Sequence, residues 1–143
     1  MSSTYDYTQK YNYLVYYTLQ TKSDIGQLTE DYARPIKIDT DENPISLQTE
    51  LDVQINEINR QHAKDYIKGL ISYVNALSEQ PFRGRLLKAS YFKRKGMRRI
   101  DYNNIAIFYT IDRNKKSVDI VVVGYASENW DSILRQVIRT QRI

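Results

Sequence analysis

The sequence contains no cysteine and a single histidine, His62. The first absence excludes a disulfide framework, thiolate metal sites and a cysteine nucleophile. The second excludes a metal centre built from several histidines and leaves one residue for histidine acid–base work. Glycine is scarce, with five residues at 26, 69, 84, 96 and 124. They are too scattered to build a phosphate-cradling loop. No apolar run approaches the roughly 18 residues a membrane span needs. The opening residues, MSSTYDY, carry neither the basic nor the apolar stretch of a secretory signal. The expectation is a cytoplasmic protein, with no residue set that calls for a metal or another cofactor. Its 143 residues suit one domain with one sizeable core.

What is present is charge, unevenly placed. The formal net charge is +4. Residues 1–80 hold 7 Lys and Arg against 12 Asp and Glu, a net −5. Residues 81–143 hold 14 against 5, a net +9. An asymmetry of this size points to an anionic partner for the second half, nucleic acid first among the candidates.

The hydrophobic pattern gives the elements. Within Lys10–Leu19, Tyr11, Tyr13, Val15 and Tyr17 alternate as in a strand. Ser23–Tyr32 reads as a short helix with Ser23 as N-cap. Ile36–Ile45 reads as an acidic loop bearing Asp39, Asp41 and Glu42. Such a loop is more often solvated than a hard-cation site. Ser46–Gln80 lacks proline and reads as one long helix or a helical hairpin. Two apolar stripes run along it: Leu51, Ile55, Ile58, His62 and Tyr66, then Ile67, Leu70, Val74 and Leu77. On this stripe His62 reads as a half-buried structural residue. Leu86–Lys93, Met97–Tyr102, Ile105–Asp112 and Ser117–Tyr125 read as strands, with Asn103-Asn104 as a turn between the second and third. Ile105–Asp112 is apolar on both faces and so belongs at the sheet centre. In Glu128–Gln141, Trp130, Ile133, Leu134, Val137 and Ile138 make one helical face, read as packing on the core. The fold class is α+β: an antiparallel sheet of about four strands against the long helix or hairpin, with a C-terminal amphipathic helix. It is a single domain over 1–143 with an extended N-terminal segment, about 1–46.

The densest signal is Phe82–Tyr102, FRGRLLKASYFKRKGMRRIDY. It holds Arg83, Arg85, Lys88, Lys93, Arg94, Lys95, Arg98 and Arg99, with Tyr91, Phe92 and Tyr102 interleaved and Asp101 the one acid. Such a surface should bind RNA or DNA with a steep salt dependence, and its aromatics are of the type that stacks on unpaired bases. The plainer reading is a strand edge kept soluble by charge, though edge protection needs fewer than eight cations.

These segments carry a family resemblance. A helix ending ALSEQP, then FRGRLLKA, MRRIDYNNIAIFYTID and VDIVVVGYASENW, resembles the RelE/ParE superfamily of toxins from bacterial toxin–antitoxin modules. Leu77, Pro81, Gly84, Leu86, Arg99, Tyr109, Val123 and Gly124 fall at positions of that pattern. The resemblance covers roughly 47–130, or with the first strand roughly 10–130, and implies a strand, a helical pair and an antiparallel sheet. There are departures. RNA-cleaving members usually carry an arginine where Ala106 stands, and often a basic residue or histidine where Tyr125 and Ala126 stand. The second arginine of the arginine-bearing strand is here Asp101.

The resemblance implies a toxin, with three readings open. One is an endoribonuclease cleaving mRNA on the ribosome. Another is a non-nuclease toxin that inhibits DNA gyrase. The third sets the resemblance aside: a plain nucleic-acid-binding or regulatory protein that converged on a basic sheet. Cleavage requires a base for the 2′-OH, an acid for the leaving oxygen and cations for the phosphate. Arg99 is the candidate the resemblance supplies; Arg98, Lys93, Lys95, Tyr91, Tyr102 and Tyr125 are candidates by chemistry. Arg83, Arg85, Lys88, Arg94, Arg135 and Arg139 are the candidate nucleic-acid contacts. Arg98 and Tyr102 share one strand face while Arg99 points to the other, so only one set can line a single cleft. A cognate antitoxin with an acidic segment is the implied protein partner, and no membrane is implied.

Overall fold

The computed structural model describes residues 12–33 and 47–141. The acidic loop Ile36–Ile45 and the tyrosines at 5, 7 and 11 lie outside the described residues. The described chain runs β1 (Leu14–Tyr17), α1 (Leu19–Ala33), α2 (Leu47–Asn75), a 3₁₀ turn (Ala76–Ser78), β2 (Arg85–Leu86), α3 (Ser90–Arg94), β3 (Arg98–Tyr102), β4 (Ile105–Asp112), β5 (Ser117–Tyr125) and α4 (Trp130–Gln141). The sheet order is β1-β5-β4-β3-β2. All neighbours are antiparallel except β1 and β5, which are parallel. Among the described residues the sheet therefore has five strands rather than about four, and one parallel pair.

β4 is central, as its two apolar faces require. Ile105, Ile107 and Tyr109 pack with Ile67, Leu70, Val74 and Leu77 of the α2 side. Ala106 and Phe108 pack with Trp130, Leu134, Val137 and Ile138 of α4. The last helix thus covers the chain's own core. A bulge between Phe108 and Tyr109 lets Val121 and Val122 both turn toward α4. Asn103 takes a left-handed φ of 52° in the β3–β4 turn, a conformation that asparagine tolerates well.

Several boundaries differ from the sequence reading. Helix α1 starts at Leu19, so Ser23 lies inside it. Its cap is Thr18, whose Oγ1 accepts the Thr21 N–H at 3.2 Å. The same turn caps the sheet. Strand β1 leaves β5 after Ile120, and α1 takes over the exposed edge. Thr18 Oγ1 donates to the Val121 carbonyl (3.1 Å), Thr21 Oγ1 to the Ile120 carbonyl (2.8 Å), and Asp24 accepts the Val123 N–H (3.0 Å). Polar residues three apart on one helix face supply the bonds a further strand would have made. Helix α2 is one long helix; its antiparallel partner is α1. Its second stripe is core, and of the first stripe Tyr66 packs against that core. Ile55 and Ile58 are exposed, as is His62, because this part of α2 has no sheet beneath it. The expected strand Leu86–Lys93 is shorter, since Ser90–Arg94 turns into α3 to bury Phe92 against α4. No helix among the described residues is long and apolar enough to cross a membrane.

Asp24 carries a pH signature. Burial pushes its carboxyl above the ordinary 3.8, against the opposing bonds from Val123 and Gln20. A folded-state pKa above the unfolded one means that the folded chain holds the proton more tightly. The ionised carboxylate therefore costs stability as pH rises through that folded value. D24N, which keeps an acceptor for Val123, should be at least as stable as wild type in urea melts at pH 7. It should lose that advantage below the ordinary carboxylate range. A variant weaker than wild type at pH 7 would show that the charge itself holds the β5 edge.

Candidate functional site

Tyr109 is buried in mid-sheet, and its hydroxyl is fully used. It donates to the Pro81 carbonyl (2.8 Å) and accepts the Gly84 N–H (2.8 Å). Burial pushes its phenol up, with Gly84 and the nearby Arg98 and Arg83 opposing. A Cβ on Gly84 would run into this ring, so glycine is required by close approach. Arg98 grips the same turn: its Nη1 donates to the Gly84 carbonyl at 2.7 Å and to Phe82's at 3.4 Å, and its guanidinium lies 5.3 Å from the Phe82 ring centroid. The Pro81–Gly84 turn is thereby held to the sheet, and Arg83 and Arg85 on either side of Gly84 are presented outward.

What they line is an open cavity of about 540 Å³ along the outer edge of β3, bounded by Tyr73, Arg83, Arg85, Arg99, Ile100 and Asp101. Among the described residues, β2 pairs with β3 only at Arg98 and Arg99, and the cavity lies where Ile100–Tyr102 have no outer neighbour. Arg85 stands directly across the ladder from Arg99. Arg83 lies over the Tyr73 ring at 4.3 Å, and Arg99 over the Phe108 ring at 5.4 Å. Asp101 accepts from Arg99 Nε at 2.8 Å. Asp101, a departure from the family pattern, thus partly neutralises the arginine that fits it.

The candidate residues do not converge. Arg98, Tyr102 and Tyr125 lie toward the helical hairpin, and each is engaged. Tyr102 packs between Tyr66 and Tyr73, at 5.6 and 5.2 Å between ring centroids, with its hydroxyl against Gly69. Tyr125 donates to Asp31 at 2.9 Å. Tyr32 stacks on Tyr66 at 4.0 Å, and burial together with Tyr66 pushes its phenol up. Arg99 faces the other side of the sheet. Tyr91 packs beside α4, where Arg135 lies over its ring at 5.0 Å while bonding Asp131 at 3.0 Å. Lys93, Arg94 and Lys95 are exposed at the end of α3, Lys88 precedes it, and Arg139 is exposed on α4. The sequence reading missed Tyr73, which lies on α2 and is brought to the cavity only by tertiary packing. It also passed over the structural duties of Tyr109.

Gly124 and Trp130 explain another matched position. A Cβ at 124 would meet the Trp130 ring, and the indole N–H donates to the Tyr125 carbonyl at 2.8 Å. That contact docks α4 on the end of β5.

Removing the Tyr109 hydroxyl should strand a buried carbonyl and a buried N–H. Y109F should therefore lose about 1–3 kcal/mol in urea unfolding. An unchanged midpoint would mean that the Pro81–Gly84 turn is held by Arg98 alone.

A family model described as the ParE toxin of the type II toxin–antitoxin system, parDE, matches residues 48–130. The fold resembles a chain of the RelBE2 toxin–antitoxin complex from Mycobacterium tuberculosis, with TM-score 0.51, 15% identity, and coverage of 84% of this chain and 98% of that one. It also resembles a chain of the chromosomal ParDE toxin–antitoxin system of P. aeruginosa, with TM-score 0.55, 11% identity, and coverage of 81% and 98%. No curated protein sequence matches significantly.

Proposed function

The chain belongs to the ParE toxin family of type II toxin–antitoxin systems, and from that premise we propose that it is a non-nucleolytic toxin that acts by binding, with DNA gyrase as its target. One observation carries this reading: the candidate proton-transfer groups are dispersed, with Tyr102 and Tyr125 engaged on the hairpin side, Tyr91 beside α4, and Lys93 and Lys95 exposed at the end of α3. Cleavage of RNA needs acid, base and charge stabiliser around one phosphate. Here Tyr102 and Tyr125 are held among the hairpin aromatics and by Asp31, and Arg98 is bonded to the Gly84 carbonyl. Arg99 lies across the sheet from all three, paired with Asp101. Near Arg99 remain cations suited to holding an anion.

A cognate antitoxin is the protein partner in this reading, as in the two toxin–antitoxin systems whose chains share the fold. An acidic antitoxin segment would complement the arginine cavity and the basic α3. The apolar face of α4 is not available for docking, since Trp130, Leu134, Val137 and Ile138 are buried in the chain's own core.

Purified protein added to a gyrase supercoiling reaction should block supercoiling, while mRNA in a translation extract stays intact. Codon-positioned mRNA breaks with normal supercoiling would overturn the reading in favour of ribonuclease action.

A further inference from the structure

We propose that the arginine cavity on the open edge of β3 is a phosphodiester-binding site, and that it takes the backbone of double-stranded DNA. The choice of DNA among polyanions rests on the gyrase reading above, because that enzyme works with DNA bound. The toxin would then contact the nucleic acid as well as the protein.

Three features argue for a phosphate ligand. The first is uncompensated charge. Among the described residues, Arg83, Arg85, Lys88, Lys93, Arg94 and Lys95 have no carboxylate partner, and of the cations in this stretch only Arg99 has one. Opposed like charges, such as Arg85 and Arg99 across the ladder, are unfavourable unless an anion sits between or beside them. The second is preorganisation. Arg83 is stacked on Tyr73 and Arg99 is placed over Phe108 and bonded to Asp101. A guanidinium held by its face, as Arg83's is, keeps its edge donors free for two-point contact with phosphate oxygens and loses less freedom on binding, while Arg99, with its Nε and Nη2 on Asp101, offers its remaining Nη1 side. The third is extent. The cavity is open along a strand edge, and along the chain the exposed cations continue from Arg85 through Lys88 to the end of α3. A row of charges fits a regularly charged backbone better than a single carboxylate.

Arg83 and Arg85 are the discriminating pair, because neither supports the fold as Arg98 does. The test is fluorescence anisotropy of a labelled 20–30 base-pair duplex, titrated with the full chain across a series of salt concentrations. R83Q/R85Q is compared with K64Q/K68Q, which removes two exposed charges from α2. Circular dichroism checks that both variants are folded. Wild type should bind, with affinity falling steeply in salt. R83Q/R85Q should lose about tenfold or more at low salt, and its log–log salt slope should fall by about two. K64Q/K68Q should bind nearly as wild type does. Equal losses in the two variants would overturn the site, reducing it to net charge. Binding of inorganic phosphate without DNA, or of polyglutamate as tightly as DNA, would overturn the DNA assignment. The supercoiling reaction is read separately. DNA binding that depends on Arg83 and Arg85 upholds the site even if gyrase is unaffected, and in that case only the target falls.

Discussion

The hydroxyl of Tyr109 is the contact on which the functional surface depends. It sits in the central strand, where water cannot satisfy it, so the fold must supply both a donor and an acceptor. Gly84 and Pro81 supply them. That requirement brings the chain back to the sheet directly after the helical region, and Arg98 reinforces the return from the next strand. With the turn so held, β2 pairs for two residues only and the rest of the β3 edge stays open. The arginine cavity is thus a consequence of how one buried phenol is satisfied. The same logic explains why a glycine and a tyrosine 25 residues apart belong to one pattern.

The opposite edge of the sheet is finished differently. There β1 ends early and α1 bonds the exposed backbone of β5 through Thr18, Thr21 and Asp24. Beyond β1 the backbone of β5 is bonded by polar side chains on a helix, whereas the outer side of β3 is lined with cations. This contrast gives the molecule a direction. The charge asymmetry seen along the chain thus becomes an asymmetry in space.

Much of this was legible beforehand where the pattern is local. β4 and β5 keep their expected bounds because alternation, turn asparagines and two apolar faces all agree. The α4 stripe packs where its spacing says it should. Legibility failed where a tertiary contact competed with a local signal. Thr18 displaced Ser23 as the cap of α1 because only Thr18 also reaches β5. Phe92 pulled Ser90–Arg94 out of the expected strand into α3, since helical geometry carries its ring under α4. Ile55, Ile58 and His62 looked like core, yet a helical stripe is buried only where something lies beneath it.

The class of fold, the central strand, the family resemblance and the concentration of cations in one segment are all written in the order of residues along the chain. These rest on periodicity and composition, which are properties of neighbours along the chain. Only the tertiary structure decided which of those cations are free. Arg98 and Arg99 are adjacent in sequence, but strand geometry sends them to opposite faces, one to hold a turn and the other to line a cavity. Tyr73 joins Arg83 from a helix that the sequence places ten residues away. A charge can be read from composition; whether it is spent on the fold or left for a partner depends on what packs beside it.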